Sequence, residues 1–128
     1  MVLDIESRLI DLDKVNCIKF FIGYDQRVVF SHYCNEVVVV RPDEEKIKKI
    51  MDIISDNEFY KIILNSALNE FTDERCNVFI KKDSLLGIDR TKKGIRLRLQ
   101  ERKINLDCNE LQREVIINKI YGNNVVHI

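Results

Sequence analysis

The sequence predicts an α+β fold in which an antiparallel or mixed sheet packs against about three helices. Three short runs rich in β-branched and aromatic residues come first, and two helical patterns follow them. A clean alternation of apolar and basic residues then returns near the end. Strands grouped in runs and separated by helices are typical of α+β folds, so the predicted order is β-β-β-α-α-β-β-β-α. A length of 128 residues indicates a single domain, 1–128.

The first strands form a predicted meander. Residues 1–13 fit a helix or a strand equally well, while 15–22, 27–30 and 36–40 are short β-rich segments separated by turn signals. Short turns favour antiparallel pairing of successive strands. Because 37–40 is valine at every position, we expect that strand to lie at the centre of the sheet with both faces covered.

Two helices are predicted after Pro42. The acidic residues that follow this proline suit the positive end of a helix, and Ile47, Ile50, Met51 and Ile54 recur at helical spacing. Ser55 and Glu58 match a capping box, which predicts a second helix over 57–70 with apolar residues on more than one face.

The C-terminal part predicts strands and one more helix. Period-two patterns occur at 76–80 and 95–99, whereas 82–93 has no clear period and is predicted to be a loop. A turn at 100–102 leads to a strand that pairs with 95–99. The last helix is expected to begin at Asp107 or Asn109 and to end at Gly122. A tail at 125–128 could add an edge strand.

Charge is distributed unevenly along the chain. The formal total is zero, yet 81–103 has nine basic and three acidic residues, a local charge of +6. Such an excess favours an acidic partner, either nucleic acid or protein. The segment contains no aromatic residue on which bases could stack, and the pI is near 6.7. The pattern therefore favours a protein partner.

The predicted partner-binding residues combine apolar anchors with basic side chains. Leu85 and Leu86 stand between charged flanks, as the buried centre of an interface does, although they could instead pack into the core. The basic side chains would steer the encounter and fix its register, or they could simply be charges on a solvent-facing strand. The residues are Leu85, Leu86, Arg90, Lys92, Lys93, Arg96, Arg98, Arg102 and Lys103.

The sequence predicts no catalytic residue, no metal site and no cofactor. His32 and Cys34 would supply only two of the four ligands that zinc takes. The glycines stand apart, so no phosphate-binding loop is indicated. Asp43 and 101–103 resemble halves of a metal-dependent nuclease motif, but Asp43 is expected to open a helix. An enzyme whose site is assembled from scattered residues stays open.

The cysteines and the N-terminus indicate an intracellular, cytoplasmic protein that does not enter a membrane. Cys17, Cys34, Cys76 and Cys108 are widely spaced, which suits reduced, buried thiols; two disulfides would be expected only after secretion. The acidic N-terminus does not resemble a signal peptide, and the longest apolar run is far shorter than a spanning helix.

Together these features predict a small non-catalytic binding protein, an inhibitor or accessory protein that occludes an acidic surface of a protein partner. A nucleic-acid-binding module using 81–103 is the first alternative, and a small-ligand-binding protein or enzyme is the second. Self-association is also open, because the acidic residues of 1–80 could face the basic hairpin of a second copy.

The scarcity of alanine and the abundance of isoleucine, asparagine and lysine indicate an AT-rich genome. That composition would suit a phage, virus or mobile element, with the host cytoplasm as the compartment.

Overall fold

The computed structural model describes residues 1–23, 26–32, 35–54, 58–65 and 75–128. These residues form ten β-strands, arranged in three antiparallel sheets, and two α-helices. The chain divides into two compact units, an N-terminal unit (Met1–Asp83) and a C-terminal unit (Ser84–Ile128). The single-domain organisation of 1–128 stays a prediction.

The N-terminal unit is built from a hairpin, a five-stranded sheet and a helix. The hairpin pairs β1 (Val2–Ile5) with β2 (Arg8–Asp11). The larger sheet has the order β5-β4-β3-β7-β6. Its strands are β3 (Cys17–Ile22), β4 (Arg27–His32), β5 (Asn35–Val40), β6 (Phe59–Asn65) and β7 (Arg75–Lys81), and helix α1 (Glu44–Ile53) lies between β5 and β6 in the chain.

The core of the N-terminal unit joins one face of the five-stranded sheet to α1 and to the β1–β2 hairpin. The register places Ile18 opposite both Phe30 and Phe79, so these side chains share that face. The rings of Phe20 and Phe79 meet edge to face, with centroids 5.3 Å apart. Apolar residues of the hairpin and of α1 complete the cluster: Leu3, Ile5, Ile10, Ile47 and Ile50.

Helix α1 begins where the sequence predicts a helix. Asp43 is the N-cap, and its carboxylate accepts a hydrogen bond of 2.7 Å from the backbone N–H of Lys46. Ile47 and Ile50 lie on the buried face, and Ile54 follows the last turn. The helix therefore presents one apolar stripe to the sheet.

The predicted fold class is wrong. Half of the described residues are in strands, and only two α-helices occur among them, so the molecule is mostly sheet rather than about three helices on one sheet. The main difference lies at the predicted helix 57–70, where β6 pairs with β7 from Phe59↔Lys81 to Asn65↔Arg75. A contiguous apolar run such as 62–64 fits either element, and pairing with β7 decides it. Residues 66–70 lie outside the described part.

The all-valine strand is also placed differently from the prediction. In the described sheet β5 is an edge strand, and β3, with Cys17, Ile18 and Phe20 fully buried, is the central one. Val39 is completely buried, while Val37 and Val38 are half-buried. The Arg8 side chain donates a 2.7 Å hydrogen bond to the Val38 carbonyl. A side chain thus occupies part of the edge that a further strand would otherwise pair with.

The C-terminal unit is a three-stranded sheet and one helix. The strand order is β10-β9-β8, formed by β8 (Leu85–Arg90), β9 (Gly94–Leu99) and β10 (Lys103–Asp107), and helix α2 (Glu110–Tyr121) follows. The predicted hairpin of 95–99 with the next strand is confirmed. Asn109 caps α2 in a capping box, and Gly122 ends it with φ 56°.

The predicted loop 82–93 is wrong. A short 3₁₀ turn (Lys82–Ser84) leads directly into β8, which pairs with β9 from Leu85↔Leu99 to Arg90↔Ile95. A β-bulge lies between Leu85 and Gly87. One extra residue shifts the alternation of side chains between faces, so the period-two signal is interrupted although the strand is present. Residues 125–128, where an edge strand was considered, form no strand.

Candidate binding surface

The sheet of the C-terminal unit has one apolar and one polar face. Residues of one parity are buried in both β9 and β10: Ile95, Leu97, Leu99, Ile104 and Leu106. Helix α2 contacts β9 and buries Ile116, so it covers this apolar face. Residues of the other parity point to the opposite face, where most of them are exposed to solvent.

The polar face brings together three of the predicted binding residues. Arg98 is paired with Lys103 of β10 on one side and with Gly87 of β8 on the other. In the next row Arg96 lies between Asn105 and Asp89. Residues that are directly opposite in an antiparallel sheet share a face. We call Asp89, Arg96, Arg98, Lys103 and Asn105 the basic sheet face.

Arg98 is held in place across the sheet. Its Nε lies 3.2 Å from Oδ2 of Asp89, and both side chains are nearly half exposed, at 45% and 41%. The guanidinium group extends over Gly87, where an added Cβ would lie 3.0 Å from Cζ and closer still to Nη2. Glycine at position 87 therefore leaves the space that the Arg98 side chain occupies.

Arg96 is positioned by a neutral neighbour. Its Nε donates a 3.2 Å hydrogen bond to Oδ1 of Asn105, the residue opposite it on β10. An amide oxygen orients the guanidinium without cancelling its charge. Lys103 is exposed beside this pair and forms no ion pair with the described residues. The face thus keeps positive charge despite the carboxylate of Asp89.

Arg90 lies on the other side of the sheet. It is opposite Ile95 and so has the parity of the apolar face. Its guanidinium pairs with Glu114 of α2, with Nη2 and Nε each 3.0 Å from Oε1. Arg90 therefore lies on the face opposite to Arg96 and Arg98. Its ion pair with Glu114 connects β8 to α2.

The remaining basic residues lie at the two ends of β9. Lys92 and Lys93 are exposed in the turn between β8 and β9, where the Gly94 N–H donates to Oγ1 of Thr91 at 3.1 Å. Arg102, half-buried, lies in the turn before β10. The six residues of β9 separate these turns by about 20 Å at 3.4 Å per residue. Only Arg102 is next to the basic sheet face through its neighbour Lys103.

The two predicted apolar anchors have different surroundings. Leu86 is the residue at the bulge and is 61% exposed. Leu85 is half-buried and lies opposite Leu99, on the side of the apolar face. Leu86 is therefore available at the surface, whereas Leu85 contributes to packing.

The two units have opposite formal charges. The C-terminal unit has nine basic and five acidic residues, a formal charge of +4, and the N-terminal unit has twelve and sixteen, a charge of −4. Sequence reasoning found the basic excess but missed Asp89, Gly87 and Asn105, which organise it. The signal for these was weak, because the bulge conceals which residues of 85–90 face the arginines.

The other sites considered from the sequence were a possible metal site at His32 and a possible nuclease motif at Asp43. His32 ends β4, and its neighbours Tyr33 and Cys34 lie outside the described part. No three His, Cys, Asp or Glu side chains come together there as metal ligands would. Asp43, half of the possible nuclease motif, caps α1. Neither α1 nor α2 is long and apolar enough to cross a membrane.

Cys17, Cys76 and Cys108 form no disulfide within the described part of the chain. Cys17 is completely buried. Burial raises the pKa of the Cys76 thiol, and the charges of Lys19 and Arg27 lower it by less. Burial also raises the pKa of Cys108, opposed by Arg113 and supported by Asp107. Because the thiolate is the nucleophile, raised pKa values do not suit catalytic cysteines.

Comparison with known protein families, with characterised proteins and with solved structures finds no match to this chain.

Proposed function

We propose that this protein acts by binding, and that the basic sheet face docks on an acidic surface of a protein partner and occludes it. The observation that supports this most is the arrangement of Arg96 and Arg98. Each is fixed through Nε by a neighbour in the sheet, and each remains partly exposed.

This arrangement suits carboxylates. A guanidinium group carries five N–H donors, so an arginine engaged at Nε has four more on its two Nη atoms. Those atoms can meet a carboxylate in a two-pronged contact. Holding the side chain in place beforehand lowers the entropy lost on binding. Lys103 adds an exposed charge on the edge strand β10, and exposed Leu86 on β8, the opposite edge strand, offers apolar area.

The same face is less suited to nucleic acid. No aromatic residue lies in β8, β9 or β10 to stack on a base. Action as an inhibitor or accessory protein in the cytoplasm is part of this proposal. An origin in a phage, virus or mobile element stays a prediction.

The test is a charge-reversal variant with a matched control. Arg96→Glu with Arg98→Glu reverses the face, and Lys14→Glu with Lys49→Glu makes the same change in net charge at exposed positions of the N-terminal unit. Proteins captured from host lysate by the tagged wild type are identified by mass spectrometry. Their affinity is then measured with purified components by calorimetry.

We expect the reversed face to weaken binding at least about tenfold, while the control retains it, because the contact depends on position and not on total charge. Equal loss in both variants, or no loss in either, would contradict the proposal. Circular dichroism confirms that both variants are folded before affinities are compared.

Fluorescence anisotropy with labelled DNA and RNA, single- and double-stranded, tests the first alternative. Tight binding that weakens steeply with salt and is lost in the reversed variant would make this a nucleic-acid-binding protein.

Light scattering on the same variants tests self-association. A lower mass in the reversed variant would indicate that a second copy is the partner.

A further inference from the structure

The outer edge of β10 is complementary to itself, and we propose that β10 of a second copy of this chain pairs with it in antiparallel orientation. Within the described residues β10 pairs with β9 alone, over five consecutive positions and without a bulge. Two other edges carry features that hinder a further strand, because β8 contains a bulge and Arg8 occupies part of the β5 edge. The described part of β10 has neither feature, so its edge can accept a strand.

The backbone of β10 directs hydrogen-bonding groups to this edge. At the start of the ladder the Leu99 N–H donates a 2.8 Å hydrogen bond to the Arg102 carbonyl oxygen, so Arg102 bonds toward β9. Backbone groups alternate between the two sides of an antiparallel strand, so the even-numbered residues of β10 bond to β9 and the odd-numbered ones point outward. The outward residues are Lys103, Asn105 and Asp107, and all three are exposed.

The side chains along the edge specify one register. Antiparallel pairing centred on Asn105 places Lys103 of each copy opposite Asp107 of the other. On the apolar face the same register places Ile104 opposite Leu106. Opposite charges stabilise a cross-strand pair and like charges destabilise it. A register centred on Lys103 or on Asp107 would place two like charges opposite each other, so the register centred on Asn105 is favoured.

Lys103 and Asp107 have no ion-pair partner among the described residues. On β9, Lys103 lies opposite Arg98, which has the same charge, and Asp107 lies opposite Gly94, which has no side chain. The two residues are four positions apart, about 14 Å at 3.4 Å per residue, so they cannot pair with each other. A second copy supplies the opposite charge to both of them at once.

The contact would join two three-stranded sheets into one sheet of six strands about a twofold axis. Because residues directly opposite share a face, the Arg96 and Arg98 side chains of both copies would lie on the same polar side. The two β9 strands would be three strand spacings apart, about 14 Å. Five paired residues make a small interface, so we expect a dimer that forms reversibly as concentration rises.

Sedimentation equilibrium of the full chain and of charge variants tests the pairing. Wild type should pass from monomer to dimer between about 10 μM and about 1 mM. Lys103→Asp and Asp107→Lys each turn both ion pairs into like-charge pairs, so each should weaken dimerisation at least about tenfold. The two substitutions together restore opposite charges and should return the affinity to within about threefold of wild type.

Lys14→Asp is the matched control for Lys103→Asp, because it makes the same change in net charge at an exposed position of the N-terminal unit. It should leave dimerisation unchanged. A chain that stays monomeric throughout the concentration range would overturn the proposal. So would equal weakening by the control, or a double variant that dimerises no better than the single ones.

Hydrogen exchange of the wild type checks the register without any substitution. The amides of Lys103, Asn105 and Asp107 point away from β9, so they should exchange at least about tenfold more slowly once the protein is mostly dimeric. Exchange at these amides that is independent of concentration, in a sample shown to be dimeric, would contradict pairing at this edge.

Another contact between copies is possible through Leu111 and Val115 of α2, which are 75% and 60% exposed. Leu111→Lys with Val115→Lys should leave the dimer intact. Loss of the dimer in this variant, with no effect of the charge exchange on β10, would place the interface on the helix and overturn the proposal.

The pairing of β10 does not depend on the function proposed above. Arg96→Glu with Arg98→Glu changes β9, one strand away from the second copy, and should keep the dimer while losing the acidic partner. A monomeric variant of this kind would indicate that the arginines themselves meet an acidic surface of the second copy, against the pairing of β10. The two proposals can therefore fail separately.

Discussion

At the scale of single residues, Gly87 and Gly94 of the C-terminal unit are required for different steric reasons. Gly87 leaves room for a side chain, because an added Cβ would meet the end of Arg98. Gly94 leaves room for the backbone itself, because a Cβ there would collide with the Leu106 carbonyl oxygen and lie 2.6 Å from the Cys108 nitrogen. The φ of Gly94, 154°, is also one that other residues rarely adopt.

Substituting each glycine by alanine should therefore give unequal results. Gly94→Ala should lower the free energy of unfolding by about 3 kcal/mol, because neither the backbone contact nor the dihedral can relax easily. Gly87→Ala should change it by less than about 1 kcal/mol, since the flexible Arg98 side chain can move.

Urea denaturation measures both, and partner affinity separates them further. Gly87→Ala should weaken binding through displaced Arg98 even though stability is kept. Equal destabilisation by the two substitutions would contradict this assignment of roles.

At the scale of elements, patterns within a few residues of sequence correctly predicted one strand and one helix start. The alternation over 95–99 predicted β9 and its exposed arginines, and the polar residue before the last apolar pattern predicted the cap of α2. Both depend on neighbours in sequence. The basic part of the candidate surface could be predicted for the same reason.

Elements that depend on distant partners were mispredicted. The apolar run of β6 fits a helix or a strand, and its partner β7 begins only at Arg75. Likewise, β8 is concealed by its bulge, and Asp89 could be aligned with Arg98 only once the register was known.

The capping box of α2 gives a prediction at this scale. The Asn109 side chain accepts a 2.8 Å hydrogen bond from the Gln112 N–H, and the Gln112 side chain accepts one of 3.2 Å from the Asn109 N–H. Asn109→Ala should cost about 1 kcal/mol of stability. The control is Asn123→Ala, at an exposed position after the helix. Equal denaturation midpoints for the two variants would show that the cap does not stabilise the helix.

For the whole molecule, the open question is whether two oppositely charged units unfold together. The C-terminal unit contains 45 residues (84–128), close to the size below which a domain rarely folds without a metal, disulfides or a partner. Only one helix of twelve residues, α2, packs against its small sheet within this unit. We therefore expect a single cooperative transition for the full chain, in keeping with one domain.

Native-state hydrogen exchange tests this with one mild variant in each unit. Ile50→Val in α1 should cost about 1 kcal/mol by losing a buried methyl group, and Asn109→Ala a similar amount at α2. If unfolding is cooperative, each variant lowers the exchange free energy of the most protected amides of both β3 and β9 equally. If each variant affects only its own unit, the units unfold separately, and the C-terminal sheet with its arginines can be studied as an independent binding domain.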